Sequence, residues 1–385
     1  MVSLALAQAL RSLLPDATET SLLHACLASG DACRGGWDEF GHRRKDLTEL
    51  FRTDRGDLKR LGPLLYENLR RNDVVVDRRL LTVLRTAHLR EELRSKVYLE
   101  VLAETLRTLE QESAPTLVVR GAALAAWAYG DAAVRHSHDI DLLLSPPDLD
   151  RASSALRRMG FLLREPTSAS GRGPITLLHR TSLPVTLSSS LYELSCHPRS
   201  WEELWQDGRP ATIAGEAARM PSPEDQLAHV LGRASFSPTR VTLQWACDAW
   251  KIAARAPTLD ADAFVAAAGQ SAIVLAASTM LQYLSALGAT ISSGLLDAAQ
   301  RRASSATRFE RDLALHGLRL GTRNGLSGVL QRMPERRIRL ALLWWTVFPS
   351  ADYVRWAHQP RHSAFIPARY ISRALSGMVS MARAR

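Results

Sequence analysis

The apolar positions change period along the chain. From residue 1 to about 112 they recur at steps of three and four, as in Leu64, Leu65 and Leu69 and again in Leu81, Leu84, Leu89 and Leu93, the spacing of one helix face. The pattern predicts a long helix from about Arg78 to Glu112, stopped at Ser113-Ala114-Pro115, with loops at Asp31 to Gly36 and at Leu61-Gly62-Pro63. The period then shortens. "TLVVRG" (116–121) is rich in β-branched residues and closed by glycine, which predicts a strand, and the Ala-rich "AALAAWAY" (122–129) predicts a helix. "DIDLLL" (139–144) reads as a second strand ended by Pro146-Pro147, followed by a helix over 148–160 with Gly160 at its C-terminal cap. "ITLLHR" (175–180) and "VTLSSSLYEL" (185–194) predict two more strands joined by a turn at Thr181 to Pro184. Helices return from Ser222, whose spacing to Asp225 is a capping pattern, and "TLQWACDAWKIAARA" (242–256) is amphipathic. The remainder reads as mostly helical, with breaks near Pro334, Pro349 and Pro360.

The order strand, helix, strand, helix, hairpin between two helical stretches predicts an α+β fold. A small mixed sheet over 113–215 is flanked by a helical N-terminal region, 1–112, and a helical C-terminal region, 216–385.

Composition narrows the class. With 385 residues, 46% hydrophobic and 23% charged, the chain is long enough for two or three folded domains. Residues 263–296 carry no charge, but interruptions such as Gln270, Gln282 and Gly288 predict buried helices rather than a membrane span. The four cysteines, Cys26, Cys33, Cys196 and Cys247, form no CxxC pair, which argues against a disulfide framework or a cysteine zinc site and predicts a reducing cytoplasm. The N-terminus lacks the basic leader, apolar core and cleavage site of a signal peptide. Net charge is +10, and the stretch from Arg332 onward holds ten arginines against Glu335 and Asp352. A solvated helix face explains that tail more simply than nucleic-acid binding does.

The chemistry centres on Asp139 and Asp141. Alternation along a strand puts both carboxylates on one face, about 6.5–7 Å apart, while Ile140 and Leu142 go to the other. Two like charges so placed repel unless a cation lies between them, and oxygen ligands of this kind suit Mg²⁺ or Mn²⁺ shared with a bound triphosphate. Upstream, Arg120-Gly121-Ala122 lies between a strand and a helix, where a glycine lets backbone N–H groups approach a phosphate. Arg135 is a further candidate for phosphate oxygens. His136 and His138 are expected to be exposed loop histidines.

The segment "VVRGAALAAWAYGDAAVRHSHDIDLLL" resembles a bacterial nucleotidyltransferase-like family of the DNA polymerase β-like nucleotidyltransferase superfamily. Softer likeness extends to "GPLLYENLRR", "SPEDQLAHVLGRA", "LQWACDAW" and "VFPSADYVRW". The resemblance implies a polymerase β-like core, a nucleoside triphosphate donor, a small-molecule or peptide acceptor, and Mg²⁺ or Mn²⁺ on Asp139 and Asp141, with Arg120, Gly121, Ala122 and Arg135 toward the nucleotide. Members are described near genes of peptide natural-product biosynthesis. Three positions depart from the pattern. Arg120 replaces a lysine, and Ala122 a residue that is often Ser or Gly. Thr186 stands where a third carboxylate is expected and Ser188 where the family has His. A threonine hydroxyl is a neutral, weak ligand and no base near neutral pH, and Glu193 could substitute only through a bulge. Two readings follow, a nucleotidyl- or phosphotransferase and a catalytically impaired relative that binds a nucleotide or a partner protein. A nucleic-acid binder using the basic tail is the third and weakest.

Overall fold

A computed structural model describes residues 4–53, 56–164, 174–191, 199–235 and 243–307, together with 310, 311, 314, 336 and 370. The basic tail, Glu193, Cys196 and the breaks near Pro334, Pro349 and Pro360 lie outside the described residues, apart from Arg336 and Tyr370.

Six helices open the chain: α1 (Leu4–Arg11), α2 (Ala17–Leu27), α3 (Gly30–Arg43), α4 (Leu47–Thr53), α5 (Asp57–Arg71) and α6 (Arg78–Gln111). The predicted long helix is α6, whose first turn is capped by the Asp77 side chain on the Arg79 and Leu80 N–H groups. Both loops expected in this region are helical instead. Gly36 sits inside α3 because the helices cross closely: a Cβ there would lie 2.5 Å from the His24 Cβ on α2. At Gly62 a Cβ would make only an ordinary 3.5 Å contact with the Ala87 Cβ on α6, and Pro63 is carried within α5. Gly36 thus serves close helix packing, and neither glycine breaks its helix.

The sheet follows. Strand β1 (Thr116–Val119) leads into α7 (Arg120–Leu124), which widens to a π-helical turn at Ala125–Tyr129 and stops at left-handed Gly130. Then come β2 (Ile140–Leu144), α8 (Leu149–Arg158), β3 (Leu162–Leu163), β4 (Ile175–Leu178), β5 (Pro184–Ser188), α9 (Trp201–Asp207), β6 (Arg209–Ile213) and β7 (Glu216–Met220). The seven strands form one mixed sheet in the order β3-β4-β5-β2-β1-β7-β6. Strand β2 is central, antiparallel to β1 and parallel to β5. The predicted strand over 185–194 ends at Ser188. The β6–β7 hairpin was not foreseen, and it places the expected boundary at 215/216 inside a turn, because β7 pairs with β1 in the same sheet.

Five helices close the described chain: α10 (Pro223–Ser235), α11 (Gln244–Arg255), α12 (Ala261–Gln270), α13 (Val274–Leu287) and α14 (Ser293–Ser304). The uncharged stretch is therefore α12, α13 and the start of α14, broken at 271–273 and again at Gly288, which has a φ of +104°. Among the described residues no helix is long and apolar enough to cross a membrane.

Two large cores organise the α+β fold. In one, Leu22, Leu65 and Leu84 pack together with Leu231, Phe264 and Met280, so the N- and C-terminal helices share a single interior. In the other, Ile140, Leu142 and Leu144 of β2, with Val185 and Leu187 of β5, pack against Leu102 and Leu106 of α6 and Leu156 of α8. Helix α6 enters both, contributing Leu80 and Leu84 to the first and Tyr98 to Leu109 to the second. The opposite sheet face, with Val119 and Leu143, carries Asp141 and turns toward α9 and α10.

Candidate active site

Helix α7 begins in an unusual way. Arg120 has a φ of +56°, a left-handed backbone that a side chain with a Cβ seldom adopts. This turns the guanidinium back along the sheet, where Nη1 donates to Asp141 Oδ1 at 2.9 Å. The expected strand end at Arg120-Gly121 is thus a helix start.

Asp141 lies within β2, in register with Val119 on one side and Thr186 on the other. Directly opposed residues share a face, so Asp141, Thr186 and Thr176 form a row across β2, β5 and β4. Thr186 Oγ1 lies 3.3 Å from Thr176 Oγ1. The Asp141 carboxyl is buried, and burial raises its pKa; the Arg120 guanidinium pulls it down and the neighbouring Asp139 pushes it up. Asp139 sits one residue ahead of β2, half-buried, and its backbone carbonyl accepts a hydrogen bond from Tyr98 Oη on α6 at 3.0 Å.

Both carboxylates line a cleft of about 280 Å³ between the sheet edge and the helical layer. Arg120, Gly121, Arg135, His136 and His138 reach it from the core, while Arg60 of α5, His229 and Arg233 of α10, and Trp245 and Asp248 of α11 reach it from the helices. Its charged lining is four arginines against three aspartates, which suits an anionic ligand. Ala122 is buried in the sheet core and Thr186 is not part of the lining.

The family model described as "Uncharacterised nucleotidyltransferase" matches residues 55–288. The chain belongs to that nucleotidyltransferase family. A search of the curated proteins gives no match. Among solved structures the chain is similar to the antibiotic-resistance factor ANT(2'')-Ia in its solution structure, at 14% identity and a TM-score of 0.35, over 45% of this chain and 90% of that one.

In this family member, Arg135 does not point a free fork at the cleft. Its Nε and Nη2 donate to the two oxygens of Asp248 at 2.9 and 2.8 Å, and Nη1 donates to Ser137 Oγ at 2.9 Å. Tyr129 Oη donates to the same carboxylate at 2.8 Å. The expected phosphate ligand is instead a buried brace that ties the loop before Asp139 to α11. Gly121 serves that brace: a Cβ there would lie 2.9 Å from both Arg135 Nη1 and Ser137 Oγ. Because Asp248 holds the other two guanidinium nitrogens, Nη1 has no room to retreat. Gly121→Ala is expected to destabilise the fold by about 1–3 kcal/mol, read as a lower urea midpoint; an unchanged midpoint would show the contact to be soft.

His136 also departs from expectation. It is half-buried, with Nδ1 2.9 Å from Glu91 Oε2 on α6, and its ring lies tilted against His138 at 5.7 Å between centroids. His138 is exposed, as anticipated. Arg60, His229, Arg233, Trp245 and Asp248 reach the cleft from helices remote in the chain and carry no local signal in the sequence.

His229 lies buried on α10, and burial drives its pKa well below the usual 6.5, helped by Arg120 and Arg233. The unfolded chain takes up a proton near pH 6.5 that the folded chain refuses. This site's contribution to stability is therefore present above pH 6.5 and is lost as pH falls toward the depressed folded value. His229→Gln, neutral throughout, is expected to flatten the loss of thermal stability between pH 6.5 and about pH 5; an acid limb identical to wild type would contradict this.

Proposed function

We propose that the chain transfers a nucleotidyl or phosphoryl group from a nucleoside triphosphate to a hydroxyl of a small-molecule or peptide acceptor, on a polymerase β-like core. The observation that carries this reading is the convergence of Asp139, Asp141 and Arg120 on one arginine-lined cleft.

A divalent ion fits the donor set in part. Asp139 and Asp141 offer hard carboxylate oxygens, and Asp141 already keeps a cation, the Arg120 guanidinium, at 2.9 Å. Arg120 Nε is buried with no hydrogen-bond partner among the described residues, a donor suited to a phosphate oxygen. Against this, the described residues hold no cluster of three or more His, Cys, Asp or Glu side chains able to bind a metal. On this reading Asp139 and Asp141 hold Mg²⁺ or Mn²⁺, which when bound neutralises charge developing on the phosphate oxygens. The acceptor oxygen attacks the α-phosphorus and pyrophosphate leaves, or attacks the γ-phosphorus and the nucleoside diphosphate leaves. Arg120 orients the phosphate chain, and the Tyr98 hydroxyl fixes the backbone at Asp139. The Arg135–Asp248 brace keeps that loop in place before substrate arrives, which limits reorganisation during the reaction.

One observation favours a second reading. Thr186 occupies the register position beside Asp141, a neutral hydroxyl facing Thr176 rather than the cleft. A binder without turnover would tolerate this. Incubating the protein with Mg²⁺ and each common nucleoside triphosphate, over a panel of hydroxyl-bearing small molecules and peptides, separates the two. Acceptor-dependent release of pyrophosphate or nucleoside diphosphate supports transfer. Nucleotide binding without release supports the impaired relative, and absence of nucleotide binding overturns transfer and leaves only the partner-protein form of that relative.

A further inference from the structure

Asp141 is buried, yet its counter-charge comes from its own chain. Arg120 Nη1 takes Oδ1 at 2.9 Å, and the arginine holds that pose from a left-handed backbone. The guanidinium is used unevenly, because Nε stays buried and unpartnered among the described residues. Asp141 Oδ1 is engaged by that arginine, and a divalent cation brought to the same carboxylate would face the guanidinium charge across it, so the two positive charges repel.

We infer that Arg120 is the resident counter-cation of Asp141 and leaves that place when a divalent metal and a triphosphate arrive together. This rests on the reading above that Asp139 and Asp141 hold the metal. A metal ion alone, whether on Oδ2 or in the guanidinium's place, leaves the guanidinium beside a new double charge. With a triphosphate present, the guanidinium has phosphate oxygens to move to, and its planar fork, with Nε already idle, matches them. Metal and triphosphate therefore raise each other's affinity by one shared factor.

Mn²⁺ titration of the full chain, followed by electron paramagnetic resonance, tests the exchange. Inorganic tripolyphosphate serves as the second ligand because it commits to no nucleobase. Arg120→Gln should tighten Mn²⁺ binding in the absence of tripolyphosphate by at least about tenfold and weaken tripolyphosphate binding by a similar factor. An arginine that merely supports the fold would weaken both. Arg60→Gln removes the same charge from the same cleft and leaves the Arg120–Asp141 pair in place. It should change Mn²⁺ binding less than about twofold. Unchanged or weaker Mn²⁺ binding in Arg120→Gln, or equal tightening in Arg60→Gln, overturns the inference. Arg120→Met repeats the test with an apolar side chain if the glutamine variant does not fold, as judged by circular dichroism. Asp141→Asn reports on the underlying reading separately: if it binds Mn²⁺ as wild type does, the metal assignment fails, whatever Arg120 does.

Discussion

Asp141→Asn is expected to lower nucleotidyl or phosphoryl transfer by at least about a hundredfold. The substitution keeps the shape of the side chain and removes its charge. Asp141 is central in β2, buried, and paired with Arg120 at 2.9 Å, so its loss cannot be made up by a neighbour. Asp139 is half-buried and precedes the strand, and Thr186 on the other side is neutral. The variant should fold, because the amide oxygen still accepts from Arg120. A variant that melts near wild type yet has lost turnover would place the effect in the chemistry. Full turnover in a folded Asp141→Asn protein would remove Asp141 from the site.

The second large effect concerns stability. Asp248→Leu should cost about 3–5 kcal/mol in urea unfolding. Arg135 and Asp248 are both nearly closed to solvent, with side chains 10% and 7% exposed, and removing the acid strands a buried guanidinium. It also frees the Tyr129 hydroxyl and the Nη1 that packs on Gly121 and Ser137. Arg135→Leu combined with Asp248→Leu should recover much of the loss, since two apolar groups leave no unpaired charge. A single-variant cost below about 1 kcal/mol would show that the brace is dispensable.

How much of this was legible depended on the range of the signal. The segment from Thr116 to Leu144 declares itself locally: β-branched residues, a glycine, an alanine-rich helix and then a carboxylate pair on an apolar strand. The structure has both strands, the second starting at Ile140 just after Asp139, and Arg120, Gly121, Asp139 and Asp141 line one cleft. The role of Arg135 was not legible, because its partner lies 113 residues further along the chain. The same holds for Arg60, His229, Arg233 and Trp245, which meet the cleft only through helix packing. Nor could periodicity show that helices at both ends share one core, since an amphipathic face does not state its partner. The β6–β7 hairpin was hidden by its turn. Ala214 and Gly215 both have positive φ, a geometry usually marked by Asn-Gly or Asp-Gly, and alanine gives no such cue. Gly36 and Gly62 misled in the opposite sense, because both lie inside continuous helices, Gly36 at a close helix contact.

The most direct test of the carboxylate seat is a crystal structure of the chain grown with Mn²⁺ and a non-hydrolysable nucleoside triphosphate. An anomalous manganese peak held by Asp139 and Asp141 is expected, with Arg120 on a phosphate oxygen. Manganese bound elsewhere, or a nucleotide seated while the Arg120–Asp141 pair stays closed, would contradict it.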